Sequence, residues 1–365
     1  MKFQRLFIYS AIILSFAFSA LAQRPTPTPV QDDEVIKVES RLVVVPVSVL
    51  DANGLPVLGL TAKDFRIFEE NKLQEVAQVS DAEKVPLEIV ILFDISASTD
   101  AMFQFEQETA AKFLQDVMRP EDRATIFTVG ESAVLIQARE TAANSAAAIK
   151  SIKPTKEQTA FYDSVAVAAN YLQKNSPQGR RKVILMISDG EDTNSKGILK
   201  AIWDAERKIM QNNTLSGEKL RELRVKARDE AKIREQNKVL QSLQNADTVF
   251  YSINPAGNSL QFNKISTFGQ SNLQRFADDT GGTAFLPKLL PVASKDNLQN
   301  SYNLKNNQDI LTKIFRQLAN ELQSQYLVQY YSEADFPLNR YVKLNISLQN
   351  PQNFRVRARQ GYFVK

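Results

Sequence analysis

Histidine and cysteine are both absent from the 365 residues. That excludes disulfides, imidazole or thiolate zinc sites, Ser-His-Asp and Cys-His nucleophile systems, and proton transfer through an imidazole. A resident metal would have to be a hard cation held by oxygens. Long apolar runs are scarce as well. The apolar stretch at 6–18 is shorter than the roughly 20 residues a membrane-spanning helix needs. With 43% hydrophobic residues the chain can still bury a substantial core, and its length suits two domains or one elaborated domain.

Lys2 and Arg5 precede that stretch, and Ala20-Leu21-Ala22 supplies a small-x-small cleavage pattern. Residues 1–22 read as a signal peptide. The expectation is an exported bacterial protein, periplasmic or secreted, with no membrane span once the signal is removed. Residues 23–34 alternate proline with polar residues and read as an extended tether. A β segment follows over 35–84, with a β-branched run at 42–50, a turn at Asp51-Ala52-Asn53-Gly54 and a mixed run at 64–70. Pro46 marks the first run as an edge strand or a bulge. Two to four strands of this kind are too few to close a core.

The middle of the chain alternates strand and helix patterns, which predicts an α/β fold with a mainly parallel sheet and helices on both faces. Two of its strands share a design. In VPLEIVILFDISAS (85–98) an almost unbroken apolar run ends in Asp94, with Ser96 and Ser98 two and four positions on. In RRKVILMISDG (180–190) a second apolar run ends in Ser188-Asp189-Gly190. Ligands of doubly wound sheets bind beyond the carboxyl ends of the strands. Between the two runs, Thr159 opens a helix from a polar loop. Asp94, Ser96, Ser98, Thr159 and Asp189 can therefore converge. Two carboxylates and three hydroxyls suit a small divalent ion that keeps several waters, and leave a position for an acidic group from a partner. Asp163, Glu191 and Asp192 read as solvated loop or first-turn acids.

The D-x-S-x-S, the later threonine and the S-D-G-E-D resemble the metal-ion-dependent adhesion site (MIDAS) of von Willebrand factor type A (VWFA) domains. The flanks, VVVPVSVLDANGLPVLGLTAKDFRIFEE and LANELQSQYLVQYY with FRVRARQGYFVK, resemble secreted bacterial VWFA-related proteins. The resemblance implies a Rossmann-like domain over 85–325. It also implies a Mg²⁺ site in which Ser96, Ser98 and Thr159 bind the ion directly or through water, Asp94 and Asp189 orient it, and a ligand carboxylate completes the sphere. Mn²⁺ or Ca²⁺ would satisfy the same oxygens.

After Asp189 the chain carries a 52-residue insert, 195–246, with 12 Lys or Arg and 7 Asp or Glu. It reads as one or two long amphipathic helices projecting beside the metal face, either a solvated charged surface or a docking arm for an acidic partner. Nucleic acid is not expected of an exported chain without aromatics interleaved here. A helix at 303–325 closes the domain, and strands at 326–331, 341–348 and 354–364 follow. This C-terminal β segment, 326–365, also lacks a core of its own. Pairing it with 35–84 would make a β-sandwich from both chain ends. The functional expectation is a non-enzymatic, metal-dependent adhesion module that captures an acidic group of a protein. The alternatives are a metal-assisted hydrolase and a structural envelope subunit whose ion is satisfied internally.

Overall fold

A strand that is apolar on both faces must be covered on both, and Leu87–Asp94 is such a strand. A computed structural model of the protein describes residues 40–81, 84–96, 100–155, 157–210, 217–255, 264–292, 296–351 and 353–364. The signal peptide and tether expected over 1–34, and the candidate ligand Ser98, lie outside the described residues. In chain order the strands are β1 (Arg41–Leu50), β2 (Phe65–Glu69), β3 (Lys72–Gln74), β4 (Val76–Asp81), β5 (Leu87–Asp94), β6 (Arg123–Val129) and β7 (Ala133–Glu140). They continue with β8 (Arg181–Ile187), β9 (Thr248–Ile253), β10 (Ala284–Phe285), β11 (Tyr326–Ser332), β12 (Tyr341–Leu348), β13 (Arg355–Ala358) and β14 (Gly361–Phe363). The helices are α1 (Asp100–Val117), α2 (Ala142–Ser151), α3 (Phe161–Asn175), α4 (Lys196–Met210), α5 (Gly217–Asn245), α6 (Lys264–Thr280) and α7 (Asn297–Gln323).

Six strands form one sheet in the order β10-β9-β8-β5-β6-β7. All neighbours pair parallel except β7, which returns antiparallel on β6. The period of two along β5 sends Leu87, Ile89, Ile91 and Phe93 to a core built with α1 and α7. Val90 and Leu92 go to a second core built with α3, α5 and α6. The sheet is thus wound on both faces. Glu88 interrupts the apolar run of β5, and its buried carboxylate is held by Arg139 and Arg180, each at 2.7 Å.

The two chain ends build a sandwich of four-stranded sheets, β13-β1-β11-β4 and β14-β12-β2-β3. Alternate residues of β1 (Val43, Val45, Val47, Val49), with Val328 beside them on β11, face Ile67, Val342 and Leu344 of the other sheet across a shared core. Three sequence expectations change here. Pro46 lies in an interior strand, and is tolerated there because β13 pairs with β1 only over Val47–Leu50, so that among the described residues Pro46 has a strand neighbour, β11, on one side only. The run at 354–364 is two strands, β13 and β14, split between the two sheets. The insert does form helices α4 and α5, but the second half of α5 does not project: Ala231, Val239 and Leu243 are buried in the sheet's second core.

The sandwich is pinned by one acid. Glu69 is 3% exposed and reaches across both sheets. Its Oε1 accepts from the hydroxyls of Tyr330 and Tyr362, both at 2.7 Å, and its Oε2 accepts from Ser332 Oγ at 2.9 Å. Removing the carboxylate leaves three buried hydroxyls without an acceptor. Glu69→Ala should lower stability by about 3 kcal/mol, and Tyr330→Phe, which loses one bond, by about 1 kcal/mol. Urea unfolding midpoints check both; a neutral Glu69→Ala would show that the network does not hold the sandwich.

Candidate metal centre

β5 and β8 run in register up to Phe93 and Ile187, so the next residues, Asp94 and Ser188, leave the sheet side by side. Ser188 Oγ donates to Asp94 Oδ2 at 2.6 Å and accepts from Gly190 N at 3.0 Å. The other carboxylate oxygen, Oδ1, accepts from Ser96 N at 2.9 Å and Ser96 Oγ at 2.6 Å, an Asx turn that folds the loop back over the strand end. Asp189 follows Ser188, and its Oδ1 accepts from Glu191 N at 2.9 Å. Gly190 takes a left-handed φ of +78°, and a Cβ there would stand 2.4 Å from the Gly269 carbonyl oxygen of α6. Only glycine allows this loop and α6 to approach so closely.

Main-chain bonds draw the third segment in. Thr155 N donates to Ile95 O at 2.7 Å and Ala160 N to Gly130 O at 2.8 Å, which fixes the loop before α3 against the ends of β5 and β6. Thr193 N and Asn194 N donate to Thr159 O at 2.9 and 3.0 Å, tying the same loop to the one after β8. Asp94, Ser96, Thr159 and Asp189 are therefore carried on three loops stitched together at one sheet edge. Asp192 differs from its sequence reading. It is 5% exposed and accepts from Tyr162 N at 3.1 Å and Ser195 N at 3.2 Å, capping α3 and anchoring the start of α4. Asp163 lies in the first turn of α3, as expected of it, and also accepts from Lys196 N at the start of α4 at 3.0 Å.

The electrostatics of the edge are unbalanced. Burial pushes the Asp94 carboxyl above its ordinary range despite the serine bonds, and the Glu191 charge adds to the effect. Burial, with the charges of Asp94 and Glu191, pushes Asp189 up to about 6. Glu106, 4% exposed on the sheet-facing stripe of α1, is pushed up to about 8 by burial and by the Asp94 charge, and its Oε1 has no hydrogen-bond partner among the described residues. No ion pair reaches Asp94 or Asp189 among the described residues. Burial and like charge hold these acids away from their charged forms, and a divalent ion bound among their oxygens would offset both effects, so the donor set fits such an ion. Among the described residues no three His, Cys, Asp or Glu side chains cluster as a metal cage, so such an ion would rely on hydroxyls and water besides the two aspartates.

Sequence reasoning singled out Asp94, Ser96, Thr159 and Asp189 but gave no role to Ser188 or Glu106. Ser188 had a signal, its place beside Asp189 at a strand end. Glu106 had a weaker one: it lies three residues after Phe103 and four before Ala110, on the apolar stripe of a helix.

A doubly wound sheet with acids at the strand ends beside its switch point defines an α/β domain with its acids where sheets of this kind bind ligands. Residues 89–191 match the family model of the von Willebrand factor type A domain, and the chain carries a domain of that type. The search of curated proteins found no match. Solved structures that match include a mutant of the PilB minor pilin from Streptococcus sanguinis, at 15% identity over 66% of this chain and 62% of that one, with a TM-score of 0.42. Proximal thread matrix protein 1 from the mussel byssus, with a zinc-occupied MIDAS motif, matches at 14% identity over 69% of this chain and 49% of that one, with a TM-score of 0.39. BatB from Bacteroides thetaiotaomicron matches at 14% identity over 62% of this chain and 99% of that one, with a TM-score of 0.34. This chain spans about half the length of the mussel protein.

The raised Glu106 gives a pH test. Its folded value, about 8, exceeds its ordinary 4.5, so the folded state holds a proton that the unfolded state has released between those limits. Its contribution is complete below about 4.5 and is lost as pH rises towards 8. In chelator-treated protein, stability should fall by up to about 1.4 kcal/mol per pH unit in that window. Glu106→Gln should remove this part of the slope. Urea unfolding at successive pH values measures it, and parallel profiles for parent and variant would contradict the assignment.

Proposed function

We propose that the chain is an exported, metal-dependent protein-binding module. Asp94, Ser96, Ser98, Thr159 and Asp189 hold a Mg²⁺-type ion at the sheet edge, and an acidic side chain of a protein partner completes its coordination. The observation that carries this reading is the pair of carboxyls, Asp94 and Asp189, that adjacent strand ends bring together, both pushed up by burial and by neighbouring acids. An ion with only two anionic ligands keeps enough net charge to attract a third carboxylate. Domains of this type are generally protein-interaction modules, which agrees with a binding role. The exposed first half of α5 and the outer face of α4, from the basic segment 195–246, flank the partner's approach.

What the ion supplies is a Lewis-acidic anchor. The chain's own residues do the rest: Ser188 and Ser96 orient Asp94, and the Gly190 turn presents Asp189. Mg²⁺ at about 100 times its Kd should stabilise the parent by about 2.7 kcal/mol, and Asp94→Ala or Ser96→Ala should abolish most of that gain. Thermal unfolding with Mg²⁺, Mn²⁺ and chelator reads this out. No shift in the parent would sink the proposal, and equal shifts in parent and variants would show that the ion binds elsewhere. An aspartate-bearing peptide should then bind only with the ion present.

A further inference from the structure

At the edge of the six-stranded sheet remote from Asp94, the amino-terminal ends of β8 and β9 meet the β13-β1-β11-β4 sheet around a cavity of about 680 Å³. The pairing of β13 with β1 ends at Val47, so among the described residues one side of residues 41–46 of β1, several of which line the cavity, has no strand neighbour. Its size lies within the range of small-molecule sites, roughly 300–1,000 Å³.

Five cationic side chains line it, Arg41, Arg180, Arg181, Lys182 and Arg359, against one acid, Asp247. Three of them are tied by the contacts of Arg180 with Glu88 at 2.7 Å, Arg359 with Asp247 at 3.1 Å and Arg181 with the Leu322 carbonyl oxygen at 2.7 Å. Arg41 is not. Its Nη1 is buried with no hydrogen-bond partner among the described residues, and so are Ser176 Oγ and Arg359 Nε. Buried donors without acceptors are unfavourable, and a ligand oxygen would satisfy them. The rest of the wall mixes polar side chains such as Gln173, Gln244 and Gln325 with an apolar strip that includes Leu42, Val44, Val85 and Leu327. Leu42 and Val44, which line it, are 48% and 37% exposed, high values for hydrophobic strand residues.

We infer that this cavity binds a small amphiphilic organic anion, a carboxylate on an apolar body. The acid group is taken by the Arg41 guanidinium, whose planar fork matches a carboxylate, and the body lies along Leu42 and Val44. The site is separate from the metal edge and independent of the function proposed there.

Calorimetric titration of the full chain tests the inference, with octanoate as the probe, octanamide as its neutral match and inorganic phosphate as an anion without a body. Octanoate should bind once and saturably. Arg41→Gln should weaken it about tenfold and Ser176→Ala about threefold. Arg207→Gln, the same charge change on an exposed face of α4, should leave it unchanged. Octanamide and phosphate should both bind at least about tenfold more weakly than octanoate. The inference is overturned by a lack of saturation up to about 1 mM, by unaltered binding in both Arg41→Gln and Ser176→Ala, or by octanamide binding as well as octanoate. Phosphate binding as tightly as octanoate would also overturn it, since the apolar strip would then contribute nothing.

Discussion

The parallel pairing of β5 with β8 places Asp94 against Ser188 as both strands leave the sheet, and the rest of the candidate metal edge is arranged around that contact. The connection leaving β5 packs α1 on one face, while the connection before β8 brings α3 down on the other. Diverging crossovers open a crevice between the two strand ends. Apolar strands buried on both faces exclude water from its floor, so two acids delivered there lose solvation together. The serine bonds to Asp94 offset this only in part, and its carboxyl still rises above its ordinary range.

The edge is held at a distance by the ends of the chain. α7 covers one face of the sheet with Leu311, Phe315, Leu318 and Leu322, then runs through Ser324 into β11 of the sandwich. Its last turn is fastened to the α/β core by Thr283 Oγ1 donating to Glu321 at 2.7 Å and Arg181 donating to Leu322 O at 2.7 Å. Just beyond it, Gln325 Nε2 donates to Tyr251 Oη at 2.9 Å. The sandwich itself is closed by the Glu69 network, which joins β2 to β11 and β14. Strands more than 250 residues apart in sequence thus share one buried acid, and a displacement of α7 would be felt in both halves.

Features set by local pattern were legible in the sequence. The apolar runs of β5 and β8, the acids at their ends, the helical stripes of α1 and α3 and the strand at 341–348 follow from period and turn chemistry alone. Features set by a distant partner were not. Glu69 looks like any charged residue near a turn, because its three donors come from β11 and β14. Pro46 is tolerated in an interior strand only because β13 is short, and β13 is short because Arg359 and Gln360 carry the chain over to the other sheet. α7 begins at Asn297, earlier than its apolar pattern suggests, because Asp296 caps it by accepting from Leu298 N at 2.9 Å and Gln299 N at 3.3 Å. For the metal edge, the two acids and Ser96 were marked by their places at strand ends. Asp192 was misread as solvated because its burial depends on α3 and α4 meeting above it.

The insert shows why net charge is a poor guide to what a helix does. Segment 195–246 is strongly basic, which suggests an outward arm, yet Lys232 of α5 is 5% exposed and lies 5.1 Å from the centre of the Phe268 ring. Burial holds its ammonium below the ordinary lysine range, Arg228 pushes the same way, and Asp192, Asp229 and Glu191 oppose them. Two of those acids belong to the loop that follows Asp189. One cation of the insert is therefore spent inward, steadying the acidic loop beside the metal edge. The other charges of the segment stand on the solvent-facing sides of α4 and α5, several of them in ion pairs such as Lys219 with Glu222 and Arg224 with Glu206. A partner of the kind proposed above would sense a weaker and more localised field than the composition of the segment implies.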